Sequence, residues 1–103
     1  MKLIITEHAE KRAKERLGLN KKSVQRQGEL ALERGVPHSK TKGKLRRWVD
    51  HEGMRADKHA SLYVVYNSHL FIFSDRPEKE ERYLITMLKV PTYLLRNINN
   101  YIK

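Results

Sequence analysis

The amino-acid sequence predicts an α+β fold, with two N-terminal helices packed on an antiparallel sheet of three to four strands and a short helix closing the chain. Three observations predict it. Apolar and small residues recur at helical spacing up to Gly35, short β-branched and aromatic runs follow Ser61, and Gly, Asn and Pro punctuate the steps between them. The 103 residues fit one domain, residues 1–103, long enough to bury one core.

Residues 7 to 17 form the first predicted helix. Thr6 is a natural N-cap, Glu7 and Glu10 put acids where the helix dipole favours them, and Ala9, Ala13 and Leu17 recur every four residues before Gly18. Asn20 caps a second helix, whose apolar side is Val24, Gly28, Ala31 and Leu32 and whose end is Gly35; its small residues allow close packing. Ahead of both, Leu3-Ile4-Ile5 reads as a short strand or an apolar lead-in. Val36 to Gly43 is loop by composition. Lys44 to Asp50 alternates loosely around Trp48 and Val49 and fits a strand, with polar turns from His51 to Lys58. Leu62 to Tyr66, His69 to Ser74 and Arg82 to Val90 read as strands, separated by an Asn67-Ser68 turn and a charged loop around Pro77; Pro91 ends the last. Thr92 to Ile102 carries Tyr93, Leu94, Ile98 and Tyr101 roughly in helical phase, although three Asn residues weaken a helix there.

Charge narrows the class of partner. Lys and Arg number 22 against 12 Asp and Glu, a net charge of +10 and a pI near 10.0. Residues 1 to 60 carry +8 of this. A domain this basic repels itself and attracts polyanions, so a phosphate-bearing partner, RNA or another nucleic acid, is expected. There is no cysteine, which excludes disulfides and thiolate metal sites and suits a reducing compartment. The N-terminus lacks the apolar core of a secretory signal and no run is long enough for a membrane span. A cytoplasmic protein with no membrane partner is expected.

Four groups of residues are candidates for chemistry. His8, Arg12 and Arg16 share one stripe of the first helix, beside the Ala9, Ala13, Leu17 seam. An imidazole can move a proton near neutral pH and guanidiniums can clamp phosphate oxygens, which suits metal-independent RNA cleavage by the 2′-hydroxyl. The same residues also read as a solvated face, with Lys11 and Glu15 at hand for surface pairing. Lys40, Lys42, Lys44, Arg46 and Arg47 lie in a stretch with no acid from Val36 to Val49 and can follow a phosphate backbone, or serve as a solubilising edge. Trp48 can stack on a base, though a lone Trp is more often core. His38, His51, His59 and His69 are scattered; Asp50, Glu52 and Asp57 stand near two of them, and no spacing matches a zinc site, so neither metal nor cofactor is expected. Thr86 in the last strand can bond a phosphate or be an ordinary β-branched residue, on one face with Leu84 and Leu88.

The stretch Ile5-Thr6-Glu7-His8-Ala9-Glu10-Lys11-Arg12-Ala13-Lys14-Glu15-Arg16 resembles the His-Ala-x-x-Arg-x-x-x-Arg start of small prophage and toxin-like proteins in the barnase, EndoU, colicin and RelE-like superfamily. The His38-Ser39-Lys40-Thr41-Lys42-Gly43 and Leu84-Ile85-Thr86-Met87-Leu88-Lys89-Val90-Pro91 segments also look like prophage relatives. The similarity runs over most of the chain, in short motifs. It implies N-terminal helices on an antiparallel sheet of about four strands, and a metal-independent endoribonuclease or its inactive descendant. By that resemblance His8 is the general acid or base, Arg12 and Arg16 meet phosphate, and Thr86 matches a polar residue of the last strand. The sequence departs from the pattern in lacking a motif-placed second proton-transfer group; Tyr66, Tyr83 and Glu52 stand as candidates.

Two other readings compete. A phage-encoded, non-enzymatic inhibitor of a host nucleic-acid machine fits a small basic protein that acts by binding without cleavage; beside the nucleic acid, an antitoxin, a ribosome or a host nucleoprotein is a candidate protein partner. A helix-turn-helix reading of Gly18-Leu19-Asn20 is disfavoured by Glu29 and Glu33 on the second helix.

Overall fold

The capping signals act where the sequence places them. In the computed structural model, which describes residues 1–103, helix α1 spans Glu7–Leu17 and α2 spans Lys21–Arg34. The Thr6 hydroxyl accepts from the Ala9 amide at 3.1 Å, and the Asn20 side chain accepts from the Ser23 amide at 2.8 Å. Gly18 closes α1 at φ 66°, a left-handed conformation suited to glycine, and its N–H returns to carbonyls of the last turn.

Leu3-Ile4-Ile5 is a strand, β1 (Lys2–Ile5). After α2 come β2 (Val36–Pro37), a short 3₁₀ turn (His38–Lys40), α3 (Gly43–Ala56), β3 (Leu62–Tyr66), β4 (His69–Arg76), β5 (Glu81–Lys89) and α4 (Thr92–Leu95), with 3₁₀ turns at Pro77–Lys79 and Ile98–Tyr101. The five strands form one sheet in the order β1-β5-β4-β3-β2. Its hairpins are antiparallel, but β1 runs parallel to β5, from Lys2 opposite Glu81 to Ile5 opposite Leu84. The expectation of a purely antiparallel sheet of three to four strands is therefore corrected to five strands with a parallel edge. Parallel neighbours need a long crossover and leave no turn signal between them.

The larger correction is α3. Lys44 to Asp50 is helix rather than strand, and the helix continues through the expected turns to Ala56. Leu45, Val49 and Gly53, four apart, are its buried residues. They form the seam that a period-2 reading of seven residues hides. Gly53 is needed there, because a Cβ would stand 2.5 Å from the Tyr63 ring.

α3 makes the sheet two-sided. α1 and α2 cover one face, where Ala9, Ala13, Val24 and Ala31 join Val64, Phe71, Phe73, Leu84 and Met87. On the other, Leu45 and Val49 join Val65, Leu70, Ile72, Val90 and Leu94, with Trp48 half-buried against them. The unbroken run Leu70-Phe71-Ile72-Phe73 in β4 has this cause: alternate residues serve opposite cores. Close packing of α2 is also observed, since a Cβ on Gly28 would lie 2.9 Å from Leu3.

A bulge in β5 decides where Thr86 points. Ile72 pairs with Thr86 but Phe73 pairs with Leu84, so Ile85 is an extra residue. Leu84 and Met87 consequently share the α1 face, and Thr86 lies opposite them with Ile72 and Leu88. The expected grouping of Thr86 with Leu84 is overturned by that one residue.

Candidate nucleic-acid interface

The basic run is gathered by the start of α3. Lys40 ends the 3₁₀ turn, Lys42 occupies the N-cap position, and Lys44, Arg46 and Arg47 fall in the first turns. Arg46 is half-buried and the others are exposed. None of the five has a carboxylate within 4 Å. Lys42 makes no side-chain cap and the first turn holds no acid. Positive charge thus sits on the positive end of the helix dipole, an arrangement that opposes helix stability and favours an anion. The segment is held in shape from behind. Buried Thr41 donates its hydroxyl to the His38 carbonyl at 2.7 Å and pairs with Ile102, the Lys42 amide donates to the Tyr101 carbonyl at 2.7 Å, and the Lys103 amide donates to the Lys40 carbonyl at 2.8 Å.

The row on α1 is partly committed to the fold. β1 stops at Leu84, so β5 has no strand beside it on that side from Ile85 onward. Thr6 donates its hydroxyl to the Leu84 carbonyl at 2.9 Å, and the Arg16 guanidinium donates to the Met87 carbonyl at 3.3 Å. Arg16 therefore tethers α1 to the open edge of β5. His8 is exposed, and Arg12 Nε stands 3.5 Å from its Nε2. The structure brings His8 and Arg12 together, places Arg16 one turn further on at the sheet edge, and puts Thr86 on the opposite face of the sheet from all three.

No protein-family model matches the chain, and no curated protein or solved structure matches it either.

The candidate second proton-transfer groups are dispersed. Tyr83 donates its hydroxyl to Glu81 at 2.9 Å on the face away from α1, and that hydrogen bond, with burial, raises its pKa. Glu52 faces Arg55 at 3.7 Å on α3. Tyr66 shares the α1 side of the sheet, tilted against Phe71. One pairing escaped the sequence reading: His38 Nε2 lies 2.5 Å from Asp50 Oδ1, beside the basic run and edge-on to Tyr63. The two residues are twelve apart across a turn and a helix start, and only recognition of α3 would have put Asp50 two turns in, within reach of His38. No group of three or more His, Asp or Glu side chains is arranged to hold a metal ion, and no helix is long and apolar enough to cross a membrane.

A bidentate ion pair joins β4 and β5 beside Tyr83. Arg82 donates to Asp75 from Nε at 2.6 Å and from Nη2 at 2.9 Å across β4 and β5. The hydrogen bonds from Arg82, opposed by burial, hold the Asp75 carboxyl below its ordinary value. A carboxylate lowered in this way stabilises the fold above the unfolded pKa of about 3.9, and that stabilisation is lost as pH falls through the lower folded value. Asp75→Asn is therefore expected to be less stable than the parent at pH 7, with the gap narrowing below about pH 4. Thermal melts from pH 2 to 7 check this; a constant gap would show that ionisation of Asp75 is not its source.

Proposed function

We propose that the chain is an RNA-binding protein that grips the phosphate backbone with Lys40, Lys42, Lys44, Arg46 and Arg47. One observation carries this reading: five cations without acidic partners are collected at a helix N-terminus whose dipole already favours anions. Helix stability is lowered by that placement, and a bound polyanion would reverse the cost.

Metal-independent cleavage of the bound RNA is the second reading, favoured by exposed His8 with the Arg12 guanidinium beside it. In it, His8 takes the proton of the 2′-hydroxyl as that oxygen bonds to the adjacent phosphorus, Arg12 offsets the charge that builds on the phosphate, and the P–O5′ bond breaks with the 5′-oxygen taking a proton from water. Arg16 serves as the tether of α1. The non-enzymatic reading, inhibition of a host nucleic-acid machine through a protein partner, has no comparable feature. The edge strands β1 and β2 are short, Pro37 sits on β2, and the open stretch of β5 from Ile85 is capped in part by Thr6 and Arg16.

Labelled RNA incubated in chelator with the parent protein, His8→Ala and Arg12→Ala tests both readings. All three proteins are expected to bind at low salt. Cleavage by the parent should fall about a hundredfold or more in His8→Ala, the lower range of acid–base contributions. Equal cleavage by His8→Ala removes the histidine from the mechanism, and no binding by the parent overturns the RNA reading itself.

A further inference from the structure

A cleft of about 190 Å³ lies between the α1–α2 turn and the β3–β4 turn, lined by Leu17, Leu19, Gln27, Asn67, His69, Phe71 and Met87. We propose that it is a base pocket, taking one pyrimidine-sized nucleobase of a single-stranded RNA; the choice of nucleobase rests on the RNA-binding reading above.

Size sets the first limit. An apolar cavity of about 150 Å³ holds a benzene ring, so the cleft has room for one six-membered ring and its substituents. Its walls suit the faces of such a ring, because Leu17, Leu19, Phe71 and Met87 are apolar and Phe71 and Met87 are anchored in the core.

His69 supplies the polar specificity. It is about nine-tenths buried, yet only one of its ring nitrogens has a protein partner. Nδ1 lies 2.8 Å from the Asn67 carbonyl. A carbonyl can only accept, so Nδ1 carries the proton and Nε2 of the neutral ring is an acceptor. No buried side-chain nitrogen or oxygen is sealed without a partner, so Nε2 is open to the cleft that His69 lines. An acceptor held in place by its own turn and facing an apolar cleft suits a ligand N–H. The ring N–H of uracil and the exocyclic amine of cytosine both provide one. The Gln27 and Asn67 amides line the same cleft and can meet the acceptor beside that donor, a carbonyl of uracil or ring N3 of cytosine.

Two cations are neighbours of the lining residues and are available to a phosphate. Lys89 is the cross-strand neighbour of His69, and Arg16, next to Leu17, is bonded to the main chain of Met87. Neither has a carboxylate within 4 Å.

Two measurements test the pocket. Uridine and cytidine monophosphate, titrated against isotope-labelled protein, should move the ring signals of His69 and the methyl signal of Met87, and the purine monophosphates should do so more weakly. Oligouridylate should bind about tenfold or more tightly than an abasic oligomer of the same length, within the range of base-stacking contributions. His69→Ala and the half-buried, helix-borne Gln27→Ala should both reduce that preference; Gln27→Ala keeps the test open where loss of buried His69 disturbs the fold. RNA binding with equal affinity for the abasic oligomer overturns the pocket and leaves the RNA reading standing. Absence of any RNA binding overturns that reading, and the pocket then stands or falls on the nucleotide titration, where unmoved His69 and Met87 signals reject it.

Discussion

The double variant Lys42→Asp/Lys44→Glu is expected to lose RNA affinity by about a hundredfold or more while becoming more stable. The two effects share one cause. Lys42 has the extended backbone of an N-cap (φ −151°, ψ 168°) but offers no acceptor, and Lys44 places a cation in the first turn of α3. Aspartate at the cap contributes about 0.5–2 kcal/mol, and an acid in the first turn about 0.3–1 kcal/mol. On the RNA side, charge-assisted hydrogen bonds contribute about 1.5–3 kcal/mol each, and two are removed and replaced by repulsion. The slope of log affinity against log salt should fall by about 0.7 for each phosphate of a single strand that the protein no longer neutralises. Filter binding across a salt series, with urea unfolding of the same samples, reads both. Tighter folding with unchanged binding would show that these lysines do not touch RNA. Loss of both would show that the segment needs its lysines to fold.

Phe73→Ala is expected to cost about 3–5 kcal/mol, the range for deleting a fully buried aromatic ring. Phe73 is wholly buried, stacks beside Phe71 with ring centres 6.4 Å apart, and faces Leu84 next to the β5 bulge. Domains of this kind have about 5–15 kcal/mol of stability in all, so the variant should unfold at much lower urea. Met54→Ala, at an exposed position on α3, should change stability by no more than about 0.5 kcal/mol. Similar midpoints for the two variants would contradict the placement of the core.

The difference in legibility between helices is physical. α1 and α2 announce themselves because Thr6 and Asn20 cap them and Gly18 and Gly35 end them. α3 has none of this: Lys42 does not cap, Gly43 and Gly53 look like breakers, and cations stand where acids belong. The cations that hide the helix are the ones on which the proposed RNA contact rests. Strand content was legible from Tyr63 to Met87, but neither the parallel placement of β1 nor the extra residue at Ile85 has a local signal. Both depend on which segments meet across the chain. The candidate site divides along the same line. The basic run was visible as composition, as was the row on α1, whereas the Arg16 tether, the pairing of His38 with Asp50 and the cleft-facing ring nitrogen of His69 exist only once the sheet has formed.

The backing of the basic segment sets an order of events during synthesis. Lys40 and Lys42 are fixed by main-chain bonds to Lys103 and Tyr101, and β1 waits for residues 81 to 84. Such distant pairings are slow to close because loop entropy must be overcome first. A chain emerging from the ribosome can thus wind α1 and α2 and zip the β3–β4 hairpin early. The surface from Lys40 to Arg47 acquires its shape only after residues 101 to 103 have left the exit tunnel. Until then the nascent protein carries its charge without the geometry to use it.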